Sequence, residues 1–136
     1  MRTGLVVTFI ALALVLVTSA ACCGSGEGNG VGDFTEEESW TIAEEYLLNS
    51  PTFTYDGVVE SLERVEARPM DCPSCWEFVF EFDCLHSGYG DRTGHILLQV
   101  ITPHTAEIKV TNGVVTRAIL DGKWDMMGQF IVFEGG

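Results

Sequence analysis

The stretch Cys75-Trp76-Glu77-Phe78-Val79-Phe80-Glu81-Phe82-Asp83-Cys84 decides the fold. Trp76, Phe78, Phe80 and Phe82 recur at every second position, with mostly acidic residues between them. Successive side chains of a strand point to opposite faces, so this spacing predicts a strand with four rings on one side. Each ring buries roughly 150 to 250 Å², and at about 25 cal/mol per Å² that face is the largest apolar contribution in the chain. Another layer must cover it.

Upstream the sequence supplies a cover. Thr35 is an N-cap residue, Glu38 completes a capping box, and Glu36 to Glu38 place negative charge at the positive end of a helix dipole. Trp40, Ala43 and Leu47 share one helical face, with Ile42 and Tyr46 beside it. Asn49, Ser50 and Pro51 end that helix. Thr52 to Tyr55 then reads as extended, Asp56-Gly57 as a turn, and about Ser61 to Arg68 as a strand closed by Pro69, with a helical turn over Val58 to Leu62 as the alternative.

Beyond the aromatic strand lies a glycine-rich loop, His86 to Gly94. His95 to Thr102 is expected to be a third strand, apolar on both faces and hence central, with Pro103 marking a bulge or edge before pairing resumes near Thr105. Asn112-Gly113 is a hairpin signal between Thr105 to Thr111 and Val114 to Leu120. A two-residue loop would pair Ile108 with Arg117. A three-residue loop with a bulge would pair Glu107 with Arg117 and put Ile108, Val110, Val114 and Ala118 on one apolar face, and this register is preferred because it sets opposite charges together. Asp121-Gly122 is another turn, Trp124 and Met126 or Met127 pack somewhere apolar, and Gln129 to Phe133 is an edge strand or a tail. One helix followed by four or five strands with hairpin links gives an α+β domain: an N-terminal helix packed on a four- to five-stranded antiparallel sheet.

This order of elements, from Thr35 to Asp125, resembles the cystatin-like and PepSY-like small domains of exported prokaryotic proteins. Thr105 to Gly122 also looks like the terminal hairpin of several small lipoprotein domains. The resemblance is one of pattern; it implies a non-enzymatic accessory domain and transfers no active site.

The first residues carry an address. Arg2, the apolar run Leu5 to Val17, and the small residues Thr18 to Ala21 form an export signal. As a helix, Leu5 to Ala21 would rise about 25 Å against a hydrocarbon core of about 30 Å, which disfavours a span, though a signal-anchor helix is the alternative. Ser19 to Cys22 resembles the lipobox of prokaryotic lipoprotein precursors. That resemblance implies that Cys22 receives lipid; Ser19 departs from the apolar residue usual there, so plain cleavage after Ala21 and secretion is the other outcome. Residues 1–21 are thus read as a signal peptide, 22–33 as a Gly/Ser-rich tether and 34–136 as one domain, lipid-anchored on the extracytoplasmic side of the membrane.

The chain holds 7 Lys and Arg against 20 Asp and Glu, a formal charge of −13, and losing the leader removes one base more. Nucleic acid and anionic headgroups are repelled by such a surface. Nucleic-acid binding is therefore not expected.

Five cysteines offer the only recognised chemical spacing. Cys72 and Cys75, in Cys-Pro-Ser-Cys, open a strand rather than a helix, so the helix N-terminus that activates redox thiols is missing. A structural disulfide, of Cys72 with Cys75 or of one of them with Cys84, or else an inert thiol, is the plain reading in an exported protein, and a thiol-redox protein using Cys72 and Cys75 is the alternative. Cys72, Cys75, Cys84 and His86 have zinc-ligating atoms, which makes a metal-binding module a further alternative. However, Cys75 and Cys84 would stand about 30 Å apart on one strand, too far for one ion or for a disulfide. His86, Tyr89, Asp91 and Arg92 are the residues a ligand loop could present, whereas His95 and His104 read as surface or capping histidines. No nucleophile paired to a base, no phosphate loop and no cofactor motif is found. The sequence therefore points to a non-catalytic binding domain for an unknown protein or small molecule. An apolar patch is expected on an open face or edge near His86 to Gly94.

Overall fold

A computed structural model describes residues 33–133; the leader, most of the tether and Cys22 lie outside the described residues. Six strands form one antiparallel sheet in chain order: β1 (Glu63–Pro69), β2 (Cys75–Cys84), β3 (Thr102–Thr111), β4 (Val114–Leu120), β5 (Trp124–Asp125) and β6 (Phe130–Ile131). The helix α1 (Glu36–Leu48) lies across one face, and the short α2 (Pro51–Asp56) follows it. The protein is thus α+β, with two strands at the C-terminal edge that are only two residues long. Among the described residues, no helix is long and apolar enough to cross a membrane.

The capping box forms as read. Thr35 Oγ1 accepts the Glu38 N–H at 3.3 Å, and the Glu38 carboxylate accepts the Thr35 N–H at 2.8 Å. Trp40, Ala43 and Leu47 are buried on the sheet. The Trp40 ring lies 4.3 Å from Phe78 and 5.1 Å from Phe80, so α1 roofs the middle of the aromatic face. Phe53 of α2 covers Phe82 at 5.0 Å. Thr52 to Tyr55 is therefore helical, not extended: Pro51 ends α1 and then occupies the first turn of α2, where its missing N–H has no partner to lose.

The expected strand from His95 to Thr102 is not there. β3 begins at Thr102, which pairs with Cys84, the last residue of β2; with β2 ended, His95 to Ile101 has no strand to bond. Pro103 instead lies inside β3. Thr105, two residues on and therefore facing the same way, bonds Asp121 at the end of β4. Opposite Pro103, β4 has already stopped, and no ladder donor is missed.

Neither expected hairpin register is adopted. Asn112 and Gly113 form a two-residue turn with φ of 48° and 75°, and Val110 pairs with Val115. A bulge at Thr116 then sets Lys109 opposite Arg117 and Glu107 opposite Ile119. The bulge turns Arg117 to the outer face, where Glu77 collects Arg68, Lys109 and Arg117 at 3.7, 3.9 and 3.8 Å. Ile108, Val110 and Ala118 are buried together, whereas Val114 is exposed.

Candidate functional site

The glycine-rich loop is folded inward around one cation. Arg92 is 4% exposed. Its guanidinium donates to the carbonyls of His86, Ser87, Gly88, Gly90 and Thr52 at 3.1 to 3.2 Å. It also pairs with Asp56 Oδ1 at 2.8 Å and lies over the Tyr55 ring at 4.6 Å. Five donors in a planar fork can meet this many carbonyls at once, which lysine cannot. Asp56 Oδ2 meets His86 Nδ1 at 2.8 Å. Burial pushes the Asp56 carboxyl up, but His86, Cys84 and Arg92 outweigh it and hold the group below its ordinary value; the ionised carboxylate therefore accepts, and His86 Nδ1 carries the proton.

A second histidine pair stands behind the first. His104 Nδ1 meets Asp121 Oδ2 at 2.7 Å, Tyr89 donates its hydroxyl to the same oxygen at 2.9 Å, and the Thr105 N–H reaches Oδ1 at 2.7 Å. Burial raises the Asp121 carboxyl, and the His104, Thr105 and Tyr89 bonds more than reverse that. Tyr89 stacks on Trp124, with centroids 5.5 Å apart; burial and Asp121 push its phenol up to about 12. His104 is 3% exposed, so it is a core residue and not a surface one, while His95 is exposed. Asp91 is exposed and closes a local turn on Thr93. Of the four loop residues singled out from the sequence, Arg92 and His86 thus share Asp56, Tyr89 joins the Asp121 cluster, and Asp91 stands apart.

Sequence reasoning missed Asp56 and Asp121. Both were visible as Asp-Gly pairs read as turns; Asp121 does reach His104 from the turn after β4, whereas Asp56 reaches His86 from the last residue of α2. Neither cluster sets a reactive nucleophile beside its imidazole. The Cys84 thiol next to Asp56 is buried, which together with Asp56 pushes it up to about 12, leaving it inert at neutral pH.

Cys72 and Cys75 form a disulfide with Cα atoms 5.4 Å apart, and Cys84 is free at the far end of β2. Cys72 is exposed and Cys75 buried. The turn opens a strand, sits beside Asp71, and is held to the hairpin by the Asn112 N–H donating to the Ser74 carbonyl. Among the described residues, no three of His, Cys, Asp and Glu gather as a metal ligand set.

The surface beside the loop is different. Ile96, Leu98, Val100 and Ile101 are exposed, Leu98 to 74%, and from Thr93 to Ala106 the chain carries no Asp, Glu, Lys or Arg. The apolar patch therefore lies in the segment after the loop, which the aborted third strand leaves uncovered. It sits at the Cys84 end of the sheet. The described chain enters at the other end, where the Phe34 ring lies against Gly113, one length of β2 or about 30 Å away. No protein-family model, curated protein or solved structure matches the chain.

Proposed function

We propose that this protein is a non-catalytic binding domain of the cystatin-like or PepSY-like kind, exported and held on the outer side of the membrane by lipid on Cys22. It binds a partner with the pole farthest from that anchor. The observation that carries this reading is the exposed, uncharged run His95 to Ile101, which lies opposite the end where the tether enters. A soluble acidic domain gains nothing by leaving four large aliphatic side chains in water, and contiguous exposed apolar surface marks interaction sites. The two His–Asp clusters support the same reading. They fasten the loop that leads into the run to α2, and Tyr89 of that loop to Asp121 after β4, and an ordered approach to the run lowers the entropy lost on binding.

The test is the intact mass of the protein from its native membrane. Loss of residues 1–21 with a diacylglyceryl group on Cys22 is expected. An unlipidated species cleaved after Ala21 in the soluble fraction would remove the anchor, and with it the geometry in which the run faces away from the membrane.

A further inference from the structure

Some carboxylates of the domain are paired and others are not. Toward the Cys75 end and along α1, Glu37, Glu44, Glu66, Glu77 and Glu107 each meet Arg64, Arg68, Lys109 or Arg117. Toward the other end Asp56 and Asp121 are held by Arg92, His86 and His104, whereas Glu60, Glu63, Glu81, Asp83 and Asp91 have no ion-pair partner among the described residues; the same is true of Glu36, Glu45 and Asp71 elsewhere, but Glu63, Glu81 and Asp83 are gathered on one groove. Glu63 and Glu81 even stand directly opposite each other on β1 and β2, a like-charge pairing that costs stability and persists without a local cation. With Ser61, Asp83, Pro103 and Thr105 they line a groove of about 490 Å³. Asp83 pairs across the ladder with Pro103, two residues beyond Ile101, so the groove begins where the apolar run ends.

Resting on the binding-domain reading, we propose that this pole docks a cationic, apolar protein segment: one that lays aliphatic side chains on Ile96, Leu98, Val100 and Ile101 and sets Lys or Arg into the groove of Glu63, Glu81 and Asp83. The charge selects this occupant. A second copy of the chain would bring the same unpaired carboxylates against these, and an anionic lipid surface is repelled by them. The free edge of β1 offers no competing site, because Arg64, Glu66, Arg68, Pro69 and the bulge at Val65 blunt it against strand addition.

The probe is an eight-residue peptide alternating leucine and lysine, with its leucine and glutamate counterpart. Binding is measured to the chain from Cys22 to Gly136, whose core residues all lie between Trp40 and Met126. The lysine peptide is expected to bind and to weaken as salt rises; the glutamate peptide is not. Glu81→Lys with Asp83→Lys, and separately Leu98→Ser with Val100→Ser, each lower affinity by about tenfold or more. Glu36→Lys with Asp71→Lys makes the same charge change at the opposite pole and leaves binding near wild type. Equal loss in both charge pairs would reduce the effect to net charge and overturn the proposal. Preference for the glutamate peptide, or self-association abolished by the Leu98 and Val100 substitutions, would overturn the partner chemistry while leaving a binding pole in place. Indifference to Leu98 and Val100 in every assay would remove the binding pole itself.

Discussion

Leu85 to Gly94 and His95 to Ile101 are consecutive in the chain and opposite in fate. The first is polar and rich in glycine, yet it buries an arginine completely. The second is made of strand-forming aliphatics, yet it stands in water. Burial here follows the availability of partners, not hydropathy. Arg92 finds five carbonyls and a carboxylate within one loop and the two ends of α2, whereas the aliphatic run finds β2 already ended at Cys84.

Arg92→Leu is the most severe way to break this contrast. It leaves Asp56 Oδ1, on a side chain 6% exposed, and several carbonyls without their donor, with His86 still bonded to the carboxylate, and should cost about 3 to 5 kcal/mol in denaturant unfolding. Acid acts on the same layer. Asp56 and Asp121 both titrate below their ordinary range when folded, so their contribution is complete above the unfolded value of about 4 and lost as pH falls through the folded values. The urea midpoint should fall steeply on acidification below about pH 4, and Asp121→Asn should lower it at neutral pH while flattening that dependence.

These two effects were not readable from the sequence, and the reason is physical. The aromatic strand, the capping box and the Asn112-Gly113 turn are local patterns, and each forms where the residues place it. The ends of a strand depend on the length of its neighbour, so the periodicity of His95 to Thr102 is honest about preference and silent about pairing. The bulge at Thr116 likewise answers to Glu77, a residue on another strand. Asp56 and Asp121 announce turns; that each also holds a histidine is decided by contacts across dozens of residues.

A smaller effect sharpens the comparison from within the loop. Gly90 has φ of +70°, and a Cβ there would meet Gln129 Oε1 at 3.1 Å and the Trp124 ring at 3.2 Å. Gly90→Ala should cost about 1 to 2 kcal/mol by thermal or chemical melting. On the other side of the contrast, Leu98→Ser with Val100→Ser should move stability by no more than about 1 kcal/mol, because Leu98 is largely and Val100 half in solvent. A large loss from that pair would mean the run is packed against the domain after all.

The meander order of the sheet has a kinetic meaning. Every strand bonds its successor, and β3 meets β4 across two turn residues, so this hairpin closes at little entropic expense. Bringing β2 to β3 must first close the whole connection from Leu85 to Ile101, and ring-closure entropy rises with the span enclosed. Docking of the aromatic strand on β3 is therefore expected to limit the rate, and the guanidinium buried in that same connection, bonded to the connection itself and to α2, can gather part of the span before the crossing is made.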